Sequence, residues 1–290
     1  MARTLTVTID TTKYRTPQQS DIEEAKQYVL DRNETAIALA SAIDLVLDRM
    51  AEQIVTVCYR YGIDPKRFVI SREYNADMMS EIAGIMDEAD ADIMDLIEEY
   101  STRMTDDRDR ISALLLWMST LGRGNRNLQD TLDGYLYKTL RDCEAAIAAL
   151  SFAGKDMAFT TNRIKAYKHQ IWTMPEMQAA FRSAEEFEAP LIQTQGVTEG
   201  ARGISSSGAT NVTQMARMTL EMAWMRSLRM DYEESGAAGY YVARGSTYPC
   251  ALCDSMVGFH PIADIGGFPP YHPHCCCFTF PIYANTQKTD

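Results

Sequence analysis

The sequence predicts a mainly α-helical protein: a long-helix N-terminal bundle introduced by a short N-terminal strand, then a small α+β C-terminal module with a zinc-knuckle-like Cys/His site. Three observations carry this. Apolar residues recur at helical spacing over most of the first 190 positions. Composition then turns abruptly to Gln, Thr, Gly and Ser between Pro190 and Ala209. Beyond that break, five of the seven cysteines and three of the four histidines crowd into residues 250–277. The expected domains are a helical one over 1–190, a linker over 191–209 and a C-terminal one over 210–290.

The totals bound the function. A chain of 290 residues with 46% hydrophobic content has material for a core without staples. A net charge of −12 argues against a main surface laid along phosphates or anionic lipid, so nucleic-acid contact is expected to be incidental only. No window approaches eighteen uninterrupted apolar residues, and the first thirty lack a basic start followed by an apolar run; no membrane span or leader is expected. Cys58 and Cys143 stand alone while the other cysteines cluster, which fits a reducing compartment with a local metal or thiol site better than a disulfide framework.

Taken in order, Thr4 to Asp10 alternates threonine with aliphatic residues, the period-two pattern of a strand with one buried face. Its partner is either an edge of the same chain or a neighbouring subunit. Ser20 is positioned as an N-cap, with Glu23 at the reciprocal capping-box position. Ala36, Ala40, Ile43, Leu47, Met50, Ile54, Val57 and Tyr61 then alternate spacings of four and three, an apolar seam that stops at Gly62 and Asp64-Pro65. Such a seam packs in an antiparallel bundle or pairs with a second copy.

A second helix is expected over 74–104, its many carboxylates forming a solvated face; no histidine occurs before His169 to complete a Glu-x-x-His metal motif. Shorter helices follow over 108–121, 128–150, 157–172 and from Pro175 to about 188, with Gly122 to Asn125 as a helix–helix turn that lacks the strand and Gly-Lys-Ser/Thr of a phosphate loop. The basic residues between Lys155 and Lys168 are expected on a solvated helix face. A last Met- and Arg-rich helix covers 212–233, and Tyr240 to Arg244 begins a strand leading to the cysteines.

Cys250-Ala-Leu-Cys253 is followed about twenty residues later by His272-Pro-His-Cys275-Cys276-Cys277. Two tight turns of soft ligands separated by a loop suit one tetrahedral zinc. A thioredoxin-type pair would open a helix in a βαβ unit, and a nucleobase deaminase needs an upstream His-x-Glu or Cys-x-Glu; neither is present. Five candidates, Cys250, Cys253, His272, Cys275 and Cys277, compete for four positions, with His274 and Cys276 outside. The matched x₂ pairs favour Cys250, Cys253, His272 and Cys275, with Cys277 as substitute. Four protein ligands leave no open position, so the expected zinc is structural, contributing on the order of 10 kcal/mol to a module poor in aliphatic residues. The bland alternative is a set of buried, unligated thiols.

The order Cys250-x-x-Cys253, Gly258, Pro269-Pro270-x-His272-Pro273-x-Cys275-x-Cys277 and a final Phe/Pro strand resembles the C-terminal domain of phage minor head proteins, the head-morphogenesis family of phage Mu protein F. The resemblance covers about 210–282, and Pro-Pro-x-His-Pro-x-Cys-x-Cys is its specific element. Where that family commonly has Asn and Arg this chain has His274 and Cys276, and the family's Arg-Thr-Glu run is matched only by the spaced Arg217, Thr219 and Glu221. The resemblance implies a low-copy structural protein of the virion, made in the bacterial host cytoplasm and located near the portal vertex. Its helical part would dock onto portal or major capsid protein, with a homo-oligomer as a further option, and aid capsid assembly or DNA packaging and delivery. The alternative class is an enzyme acting on nucleic acid or NAD. An ADP-ribosyltransferase would need its Glu-x-Glu after a Ser-Thr-Ser-like strand, whereas Glu186-Phe-Glu188 precedes Ser205 to Ser207.

Overall fold

In the computed structural model, residues 7–62, 75–122, 124–184 and 207–285 are described, without the side chains of 181–184. The linker expected over 191–209 falls outside them except for its last three residues, and so does the Glu186 to Glu188 segment. The helices are α1 (Gln19–Tyr61), α2 (Ala76–Thr102), α3 (Arg108–Ser119), α4 (Leu128–Phe152), α5 (Met157–Tyr167), a 3₁₀ segment (Lys168–Thr173), α6 (Pro175–Ala184), α7 (Gly208–Glu234) and the short α8 (Ala251–Ser255). Three strands, β1 (Gly239–Ala243), β2 (Gly258–Pro261) and β3 (Phe278–Ile282), form an antiparallel sheet in the order β2-β1-β3. The result is a mainly α-helical N-terminal region with a small C-terminal α/β module. No helix is long and apolar enough to cross a membrane among the described residues.

Two compact units are interleaved along the chain: Met1–Leu39, Glu98–Met118 and Arg217–Asp290 form one, Ala40–Ile97 and Ser119–Ala216 the other. In the second, Ile43, Leu47, Met50, Ile54 and Val57 of the α1 seam are buried, and so are Met78, Ile82, Ala89, Ile93 and Ile97 of α2. Asn127 accepts a hydrogen bond from the Asp130 amide at the start of α4, and Asp156 does the same for Phe159 at the start of α5. The basic residues after Lys155 are largely spent on ion pairs, Lys165 with Glu52, Lys168 with Asp48 at 3.0 Å and Arg163 with Glu176 at 3.2 Å. α7 begins at Gly208, four residues before its expected start, because the buried carboxylate of Asp142 accepts the Gly208 amide at 2.7 Å.

The first unit is built on the sheet, and both of its faces are covered. Tyr241, Ala243, Phe278, Phe280 and Ile282 point to one side and pack with Ile22, Ala25 and Val29 of α1. Tyr240, Val242 and Cys277 point to the other and pack with Tyr232 of α7 and the cysteine loops. The Tyr232 hydroxyl donates to the Thr279 carbonyl at 2.7 Å. α7 ends at Gly236 (φ +73°), where the Ala237 amide reaches back to the Tyr232 carbonyl.

Two local expectations are corrected. Residues 7–10 form no strand, and 4–6 lie outside the described residues. Thr12 and Asp10 make an Asx turn that bends the chain away, and pairing comes later as a single antiparallel bridge, Tyr14 with Ala284. The alternation reports face burial without a ladder: Val7 and Ile9 pack against the sheet cluster while Thr8 and Asp10 are exposed. The start of α1 also lies before Ser20. The Asp21 carboxylate accepts the Gln18 amide at 3.0 Å, so the acidic half of the capping box is Asp21, not Glu23.

Phe280→Ala, which empties a fully buried position on the sheet, is expected to cost about 3–5 kcal/mol. Leu45→Ala, on the exposed side of α1, is expected to change stability by less than about 0.5 kcal/mol; urea titration of both variants checks the contrast.

Candidate metal centre

The centre lies where two loops leave the sheet. After β1, Arg244 forms an ion pair with Asp254 and donates to the carbonyls of Tyr248 and Cys250, which folds residues 244–254 into a closed knuckle. Gly245 is required here: a Cβ at that position would lie 1.8 Å from the Cys276 carbonyl oxygen. Cys250 is the N-cap of α8, its sulfur accepting the Cys253 amide at 3.5 Å. Gly258, at φ +138°, a backbone region that residues with a Cβ rarely adopt, starts β2.

The second loop carries a cis Pro269-Pro270 bond and then a tight turn in which the Cys275 amide donates to the His272 carbonyl at 3.1 Å. His274 takes φ +63° within this turn. Cys275 and Cys277 are buried, Cys276 is half-buried, and Phe278 continues into β3.

The sequence-predicted donors meet. Cys250, Cys253 and His272 form one group, and Cys253, Cys275 and Cys277 another, each with its donor atoms within 4.8 Å of one another. Cys253 belongs to both. The His272 Nε2 lies 3.0 Å from Cys253 Sγ and 3.4 Å from Cys250 Sγ, and Cys253 Sγ lies 4.0 Å from Cys275 Sγ. A tetrahedral zinc with sulfur ligands at about 2.3 Å separates them by about 3.8 Å, so the spacing fits such an ion. His272 Nδ1 is 2.8 Å from the Pro273 carbonyl; donating there leaves the Nε2 lone pair facing the sulfurs, the orientation that metal-bound histidines use. None of the seven cysteines, all of them among the described residues, forms a disulfide. His274 and Cys276 remain outside both groups.

Proton affinities in the cluster are pushed apart. The hydrogen bond from the Cys277 thiol holds Cys275 down at about 5, and the loss of that proton is correspondingly resisted at Cys277. The Cys253 amide lowers Cys250, while burial pushes Cys253 up to about 12. These groups share protons that one divalent cation would displace. A depression of about 360 Å3, walled by Arg244, Tyr248, Pro273 and Cys276, gives access to them.

Three polar residues around this centre escape a search for ligand motifs: Arg244, Arg32 and Glu221. Arg32 and Glu221 are 0% and 1% exposed. Arg32 had a legible signal, since it continues the α1 stripe backwards through Val29, Ala25 and Ile22, a charge standing where an apolar residue is due. On the far side of β2, His260 is a structural staple; its ring nitrogens lie 2.9 Å from Asp264 and 2.9 Å from the Met256 carbonyl.

Comparison of the chain with protein-family models, with curated proteins and with solved structures finds no match.

The hydrogen bond to His260, aided by the Gly267 amide, holds the Asp264 carboxyl below its ordinary range. A carboxyl lowered on folding adds stability above its unfolded value near pH 4, and that contribution is lost as pH falls through the lower folded value. Asp264→Asn is therefore expected to be less stable than wild type at pH 6 and to lose less stability between about pH 4 and pH 2, as read by denaturant titration across that range.

Proposed function

We propose that this chain is a phage minor head protein whose C-terminal module is held together by one structural zinc and whose helical part docks onto the portal or major capsid protein. The observation that carries the metal half is the convergence of five soft donors, from two loops about twenty residues apart, with His272 turned so that Nε2 faces the thiols. Cys253 and His272 would be central ligands, Cys250 and Cys275 complete a Cys₃His set, and Cys277 is the alternate thiolate. Zinc, when bound, supplies a cross-link between the α8 knuckle and the loop leading into β3. Four protein donors leave no place for a reacting water, so the centre is assigned no catalysis.

The assembly half rests on the resemblance of residues 250–277 to the minor head protein motif, including its Pro-Pro-x-His-Pro-x-Cys-x-Cys element. On this reading the protein is a low-copy virion component at the portal vertex, assisting capsid assembly or DNA packaging and delivery. The acidic, ion-paired helices suit a protein partner better than a nucleic acid.

Purified protein is expected to hold about one zinc per chain by elemental analysis. Cys253→Ala, which removes the donor common to both groups, should lose it and lower the melting temperature by roughly 10 °C, whereas Cys276→Ala should retain both metal and stability. Zinc-free wild-type protein with a melting temperature unmoved by chelator would defeat the metal half. For the assembly half, the chain should co-purify with the portal protein encoded beside it; absence of a portal or terminase gene from its genomic neighbourhood would count against that half alone.

A further inference from the structure

We infer that Arg32 is an outer-shell positioning residue of the Cys/His centre that locks the first half of α1 to it, so that metal loading and docking of residues 19–39 reinforce each other. The inference rests on the metal reading above.

Ile22, Ala25, Val29 and Arg32 lie on one stripe of α1. The first three cover the sheet face formed by Tyr241, Phe278 and Phe280. Arg32 follows them inward and is 0% exposed, the largest fully buried side chain among the described residues. Its Nη2 donates to the Cys275 carbonyl at 2.5 Å, so the backbone of one candidate ligand is held by a helix far upstream in sequence. Its Nε and Nη1 have no hydrogen-bond partner. A desolvated guanidinium in that state is costly unless negative charge stands close by.

Two groups can offset that charge. Glu221 of α7 is 1% exposed with both carboxylate oxygens unpartnered; burial raises its carboxyl above the ordinary range, and the charges of Arg32 and then Arg217 oppose that rise. The other is the centre itself. A divalent ion held by three thiolates and a neutral imidazole carries one net negative charge. Glu221 is shared by Arg32 and Arg217, one carboxyl against two guanidiniums, so the loaded centre supplies the further negative charge that the pair of arginines lacks. Outer-shell partners of this kind typically change metal affinity by about ten- to a hundred-fold, and linkage requires the ion to stabilise the docked helix in return.

Two measurements on the full chain test this. Hydrogen exchange of the zinc-loaded protein is compared with that of protein treated with a chelator; exchange is expected to accelerate over residues 19–39 together with 272–280, with residues 140–150 of α4 as a reference that stays protected. Zinc affinity is then measured by chelator competition in Arg32→Met and in Arg32→Met/Glu221→Met, the second variant removing both buried charges so that neither is left alone in the core. Both variants should bind zinc about ten- to a hundred-fold more weakly, and the double variant should do so with its helical circular dichroism intact. If wild type binds zinc, unchanged exchange over 19–39 on chelation, or undiminished affinity in the double variant, overturns the lock alone. If wild type takes up no zinc, the metal reading falls and the lock with it.

Discussion

The loops that carry the cysteines and histidines are held by side chains and not by a ladder. Arg244 ties the segment between β1 and α8, His260, Arg229 and Arg32 tie the one between β2 and β3, and the buried side chains beneath them include Cys253, Cys275 and Cys277 with Phe268 and Ile262 packed beside them. A small module in that position is stabilised by a cross-link more effectively than by further apolar burial, because so few residues are available to bury. The convergence of Cys250, Cys253, His272, Cys275 and Cys277 supplies the place for one. The sheet orders the two loops and brings their donors together.

The same sheet also explains why the module is not made from contiguous sequence. β1 and β3, buried on both faces, need a layer on each side, while β2 at the edge is half-buried to exposed. α7 supplies part of one through Tyr232, and the first half of α1 supplies the other through Ile22, Ala25 and Val29. Arg110 of α3 adds ion pairs to Asp231 and Glu234 at the end of α7. The C-terminal residues therefore share their compact unit with the chain's first residues and with α3.

Much of this was legible in the residues, for reasons that separate the hits from the misses. The α1 seam was readable because helix periodicity is local, and six of its eight positions are buried, with Ala40 and Tyr61 only half-buried. The soft-donor groups were readable because Cys and His are rare and their spacing is short. Thr4 to Asp10 misled because alternation reports burial of one face, and Val7 and Ile9 obtain that burial without a ladder. Asp21 displaced Ser20 and Glu23 because several short polar residues near Pro17 could cap, and the choice depends on backbone geometry. The partnership of Arg32 with Cys275 joins segments at opposite ends of the chain, and no local pattern reports such a pairing.

On the proposal made above, the helical part docks onto a protein partner and the Cys/His cluster of the C-terminal module holds one structural metal. The proposed metal is closed off by protein donors. X-ray absorption at the zinc edge of the purified protein tests this most directly. A four-coordinate shell of three sulfurs at about 2.3 Å and one nitrogen at about 2.0 Å, unchanged by added small anions, is the expected result. A shell containing a water oxygen, or one that accepts an added anion, would contradict a purely structural centre.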